Sequence, residues 1–215
     1  MKRKKNARAI VAVGVSVLMM VTTLVGCTGK DTSAGSSEPS AVESVTGRQD
    51  GERFEAVIQM EGMDETVRYE HVRNETVGYE LDYDYELLER RGTPDHEQFV
   101  SRLDDPEKPD NYIELTFRKG DEETVTASVK TELSQKYKQV EAEQQFRLDS
   151  AGECTRIVTS GARKNKALPD SLMTVYIIPA AGGCLVASVH CTVESAEGFG
   201  VRLNCIANTI FVPGK

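Results

Sequence analysis

Three histidines among 215 residues leave little material for acid–base or zinc chemistry. They stand apart at His71, His96 and His190, with no second ligand at zinc spacing and no CxxC pair. The G-x-S-x-G turn of a nucleophile elbow is absent, and Thr159-Ser160-Gly161 reads as an ordinary turn. No glycine-rich phosphate loop occurs, since Gly198 and Gly200 lack the rest of that pattern. His190 stands beside Cys191, but neighbours on a strand point to opposite faces, so that ring does not reach that sulfur. No catalytic, cofactor or metal set is expected.

Basic residues are also scarce where a polyanion would need them. From Cys27 onward there are 21 Lys and Arg against 34 Asp and Glu. That balance excludes nucleic acid as a partner, because phosphate neutralisation needs clustered cations. It argues equally against an anionic lipid surface held through basic side chains. Arg163, Lys164 and Lys166 make the one basic cluster of the acidic region; a solvated loop is the reading, and an acidic partner the alternative.

What the chain does have is an export-like start. KRKKNAR (residues 2–8) carries five basic groups, and the 18 residues from Ala9 to Gly26 carry no charge. As a helix that run is about 27 Å long, barely a bilayer span, so a retained signal anchor is the alternative reading. Thr22, Thr23 and Gly26 weaken its end. The tetrad Leu24-Val25-Gly26-Cys27 resembles the lipobox of bacterial lipoproteins at all four positions. The resemblance implies a signal peptide over 1–26, cleavage between Gly26 and Cys27, and a thioether-linked diacylglycerol on Cys27. One acyl chain anchors marginally whereas two anchor stably, so the lipid bilayer becomes the partner of Cys27 and no protein span is needed. The expected location is the outer, extracytoplasmic face of the cell membrane.

Residues 27–52 then form a tether rich in Ser, Thr and Gly, whose mean reach is about 25–30 Å. A single domain follows over 53–215. FEAVIQME and ETVRYEHV alternate as two strands bent at Gly62. In VGYELDYDYELL, Val77, Tyr79, Leu81 and Tyr83 take one face, while Glu80, Asp82, Asp84 and Glu86 take what reads as a solvated one. Thr93-Pro94-Asp95 reads as a cap for a helix carrying His96, Phe99, Val100 and Leu103. NYIELTF is a strand, and Asp121 caps an amphipathic helix with Val125, Val129, Leu133 and Tyr137 at spacing four. Four more strands follow, the last two a hairpin around 180–183, and then a closing helix with Phe199, Leu203, Ile206 and Ile210 on one face. Few parallel crossovers are possible in this order. An α+β fold follows, with an antiparallel sheet and helices packed on its faces.

GYELDY, the YIELTF strand with its capped helix, and the closing run from Val175 to Phe211 together resemble the PsbP-like fold over residues 77–212. That group includes photosystem accessory proteins, a small Ran-binding nucleotide-release factor and bacterial lipoproteins. The resemblance implies a docking or assembly module without enzymatic chemistry, and it carries no functional residue onto this chain.

Four cysteines remain in the domain: Cys154, Cys184, Cys191 and Cys205. Cys184 and Cys191 lie seven apart on one strand and face opposite ways. If any pair forms, Cys191 with Cys205 on the closing helix is the one expected; buried free thiols are the alternative. The function expected is a membrane-anchored, non-enzymatic binding or assembly module that docks to an envelope protein. A small-ligand binder is the alternative, and a hydrolase pairing Asp82 or Asp84 with Glu114 is a third.

Overall fold

Alternation builds the first sheet. The computed structural model describes residues 47–60 and 62–214, which fall in one compact unit. Strand β1 (Arg53–Met60) pairs antiparallel with β2 (Met63–Asn74), with Met60 opposite Met63. Gly62 in the turn between them has φ +81°, a left-handed value that glycine adopts without a Cβ clash. On the other side of β2 lies β3 (Tyr79–Asp84), completing a three-stranded sheet.

All six residues of β3 are buried, which corrects the expectation of a solvated acidic face: Glu80 is 8%, Asp82 1% and Asp84 5% exposed. The cause is the end of the chain. Phe211 exchanges backbone hydrogen bonds with Glu80, and the Thr209 hydroxyl bonds both backbone groups of Asp82. Contacts from more than a hundred residues away leave no trace in local periodicity.

The second sheet has seven strands. Its first two, β4 (Leu88–Thr93) and β5 (His96–Ser101), form a hairpin in which Thr93 opposes His96 across Pro94 and Asp95. The expected helix over 96–103 is therefore a strand, and Leu103 is 79% exposed beyond it. Pro94 fixes φ near the value shared by the first position of a helix and of a β-turn. Gly92 (φ +104°) allows the turn to close, since a Cβ there would lie 2.2 Å from the His96 carbonyl oxygen.

Strand β6 (Tyr112–Lys119) leads into helix α1 (Glu122–Lys136). Strands β7 (Gln144–Leu148), β8 (Gly152–Val158), β9 (Ser171–Ala180) and β10 (Gly183–Thr192) follow. A short π-helical turn, Ala196–Gly200, then runs into α2 (Val201–Asn208). The spatial order is β4-β5-β6-β10-β9-β8-β7 with every pair antiparallel.

Strand parity places the helices on opposite faces of this sheet. Val186 and Cys184 of β10 pack with Val125, Val129 and Leu133 of α1. Leu185, Ala187, Val189 and Cys191 pack with Leu203, Ile206, Ala207 and Ile210 of the closing helix and its exit. The fold is α+β, as expected, but it has two sheets where the sequence suggested one.

Helix α1 starts where its cap predicts. The Asp121 carboxylate accepts from the Thr124 backbone N–H at 2.8 Å, and that bond holds its pKa below the usual range. Asp121→Ala should lower the thermal midpoint by about 2–4 °C, read by circular dichroism, without altering the native spectrum. An unchanged midpoint would show that α1 is held by packing alone.

Candidate functional site

Three buried polar clusters stand where chemistry would have to occur, each built from residues far apart in sequence. The first lies across β2 and β3, whose register sets His71 opposite Asp82 and Arg73 opposite Glu80. His71 is fully buried; its Nδ1 lies 2.7 Å from Asp82 Oδ1. Its Nε2 faces Glu80 Oε2 at 3.5 Å, and neither of those two atoms has a hydrogen-bond partner. Arg48 approaches Asp82 at 3.5 Å and Arg73 bonds Glu80 at 2.9 Å. Burial raises the Asp82 pKa, opposed by the His71 bond and the Arg48 charge.

This cluster also fastens the segment where the tether would enter the domain. His71 exchanges backbone bonds with Gly51 and Glu52, Arg73 donates to the Arg48 carbonyl at 3.1 Å, and Asp50 accepts from the Arg73 N–H at 2.9 Å. Its chemical capability is to hold charge inside the fold and pin one end of the chain.

The second cluster joins the two sheets. Glu97 on β5 is 5% exposed and accepts from the Tyr79 hydroxyl at 2.7 Å, from Asn74 at 3.0 Å and from Arg90 at 2.9 and 3.2 Å. Burial and the Glu97 carboxylate push the Tyr79 phenol upward. Asn74, first residue of a sequon-like Asn-Glu-Thr, is used here as an internal donor and is 4% exposed.

The third cluster contains a serine beside a histidine. Ser171 Oγ lies 2.9 Å from His190 Nε2, and His190 Nδ1 lies 2.7 Å from the Asp110 carbonyl oxygen. A carbonyl can only accept, so the ring carries its proton on Nδ1 and Nε2 is a bare acceptor. Arg163 Nη2 also donates to that nitrogen at 2.6 Å, and Arg163 Nε donates to Ser171 Oγ at 2.8 Å. Tyr112 stacks on the imidazole at 4.8 Å. Burial pushes the His190 pKa down to about 4, with Arg163 and Lys136 adding to the shift. The pair has the distance of a nucleophile and base, but Ser171 is 1% exposed and presents no surface to a substrate.

The remaining expected site residues fall separately. Asp82 and Asp84 are not brought to Glu114, which bonds Gln98 at 2.5 Å and faces His96 at 3.3 Å. Glu114 instead lines a cavity of about 100 Å³ between α1 and the large sheet, with Tyr112, Arg118, Lys136 and Met173. Small-molecule pockets run to roughly 300–1,000 Å³, so this volume suits a few waters.

Cys191 and Cys205 are free thiols in the structure, and burial raises the pKa of both. Raised thiols make poor nucleophiles. Gly26 and Cys27 lie outside the described residues. Among the described residues no group of three or more His, Cys, Asp or Glu is arranged to hold a metal, and no helix is long and apolar enough to cross a membrane.

Sequence reading missed all three clusters, because each pairs one expected-surface charge with partners on other strands. The available signal was parity: Glu97 shares a face with Phe99, and Asp82 lies opposite His71 once the β2–β3 register is set.

No family model and no curated protein matches this chain. Among solved structures, it is similar to the Ran-binding protein Mog1p of Saccharomyces cerevisiae, with a TM-score of 0.45 and 10% identity over 67% of this chain and 95% of that one. It is also similar to the cyanobacterial PsbP (CyanoP) of Synechocystis sp. PCC 6803, with a TM-score of 0.43 and 9% identity over 67% and 92% of the two chains.

Proposed function

We propose that the protein is a lipid-anchored docking module on the extracytoplasmic face of a cell membrane, without enzymatic activity of its own. The observation that carries this reading is the Leu24-Val25-Gly26-Cys27 tetrad closing an uncharged run and opening onto a polar tether. Acylated Cys27 holds the bilayer, and the folded domain meets an envelope protein within reach of the leash. The interior supports the reading in chemical terms. Glu97 and Ser171, the two groups with the most reactive-looking surroundings, are consumed by internal partners and sealed from substrate.

Cys27→Ser tests the anchor. The variant should leave the membrane fraction or accumulate as the longer, unprocessed chain, and the mass of its N-terminal peptide should lack two acyl chains and a glyceryl thioether. Unchanged processing with full membrane retention would refute lipidation. Detergent-extracted native protein should co-purify with an envelope partner after mild crosslinking; a strictly solitary protein would overturn docking.

A further inference from the structure

The fold assembles a cationic surface that the net charge conceals. Tyr137 and Arg163 form an isolated antiparallel bridge, flanked by backbone bonds from Lys164 to Lys136 and from Lys138 to Ala162. This brings KYK at the end of α1 against RKNK of the loop before β9. Lys136, Lys138, Lys164 and Lys166 are all exposed, and the acid that feels one of them, Glu132 one turn before Lys136, is already bonded to Arg118. The other lysine at α1, Lys130, is paired with Glu143. Lys136 and Lys164 sit directly across the bridge from each other, an arrangement that like charges disfavour without a counter-anion.

The patch is fixed in place. Arg163 lies over the Tyr137 ring at 5.5 Å and is bonded to Ser171 and His190, so the loop is clamped to the sheet while Lys164 and Lys166 stay exposed. The Lys164 ammonium also donates to the Ser134 carbonyl at the end of α1. Two residues beyond Lys166, Leu168 is 46% exposed in the same loop. Exposed lysines and an exposed aliphatic side chain on one loop match the chemistry of an anionic lipid surface, which takes charge at its phosphates and apolar groups at the acyl boundary.

We propose that Lys136, Lys138, Lys164, Lys166 and Leu168 form a face that docks onto phosphate-bearing lipid headgroups of the membrane holding the anchor. The proposal rests on the lipid-anchored reading. Nineteen residues lie between Cys27 and Gly47, a maximum contour of roughly 65–70 Å, against a radius of gyration of about 15 Å for a domain of this size. By length alone such a tether would let any face meet the membrane, and something on the domain must select one. The acidic remainder is repelled by an anionic leaflet, so the patch sets a single orientation.

Amine footprinting of the full chain, reconstituted into vesicles of phosphatidylcholine alone or with phosphatidylglycerol, tests the proposal. With phosphatidylglycerol, labelling of the four lysines should fall roughly fivefold or more, that of Lys108 and Lys119 should stay constant, and 0.5 M salt should abolish the difference. The triple variant Lys136→Glu, Lys138→Glu, Lys166→Glu, which spares the Lys164 contact with α1, should leave Lys164 equally labelled on both membranes. Equal wild-type labelling on both vesicles would overturn the proposal. So would protection that appears only on adding an acidic envelope protein, which would assign the patch to that partner. The mass of the Cys27 peptide in the same digest reports acylation separately, so failure of the anchor and failure of the face are distinguishable.

Discussion

Replacing Glu97 with Ala should cost the domain about 3–5 kcal/mol, a large part of the roughly 5–15 kcal/mol that holds a domain of this size folded. Glu97 is the one side chain of β5 bonded to β2, β3 and β4 at once, through Asn74, Tyr79 and Arg90. Removing it takes the carboxylate acceptor from the buried Tyr79 hydroxyl, and leaves a half-buried guanidinium whose nearest other carboxylate is Asp50 at 3.8 Å. Glu97→Gln keeps the shape and most of the bonds, so it should cost only about 1–3 kcal/mol. Urea unfolding of the three proteins at neutral pH supplies the comparison. A loss below about 1 kcal/mol for the alanine variant would mean that the two sheets are held together by packing alone, and that the polar junction is incidental.

The same residue explains where sequence reading failed. In His96–Ser101 the alternation of a strand is present, but one of its buried positions is Glu97. A charge there breaks the apolar pattern, and the remaining Phe99, Val100 and Leu103 happen to fit a helical spacing. Acidic β3 failed for a related reason. Glu80, Asp82 and Asp84 look solvent-facing until Arg48, His71, Arg73 and Arg202 arrive from elsewhere in the chain. What was legible depended only on local chemistry. The Asp121 cap, the spacing of four along α1, the hairpin around 180–183 and the opposite faces of Cys184 and Cys191 all follow from neighbours in sequence. Long-range neutralisation is invisible to composition, and so is the gathering of four lysines from two separate segments in a chain of net negative charge.

Acidification should destabilise the domain through His190 in particular. Its pKa is about 4 in the folded protein against an ordinary 6.5, so between those values the unfolded chain binds the proton and the native state does not. Stability contributed in this way is complete above pH 6.5 and is lost as pH falls toward 4. The loss amounts to about 3 kcal/mol in full and about 2 kcal/mol between pH 7 and 4.5. Asp82 and Asp84 act in the opposite sense: burial raises their pKa values, so the native state takes up protons first and gains relative stability as pH falls through their range. The comparison that isolates His190 is therefore with His190→Gln, whose side-chain oxygen can still accept from Arg163. Wild type should lose about 2 kcal/mol more than the variant between pH 7 and 4.5 in urea unfolding, and the His190 ring should titrate near pH 4 by NMR. Equal losses in the two proteins, or a ring titrating near 6.5, would overturn the assignment. Burial is the main cause, and the Arg163 charge at Nε2 adds to it. A proton placed at Nε2 would face the Arg163 guanidinium at 2.6 Å, so the neutral ring is what lets an arginine without a carboxylate partner among the described residues remain clamped against the sheet.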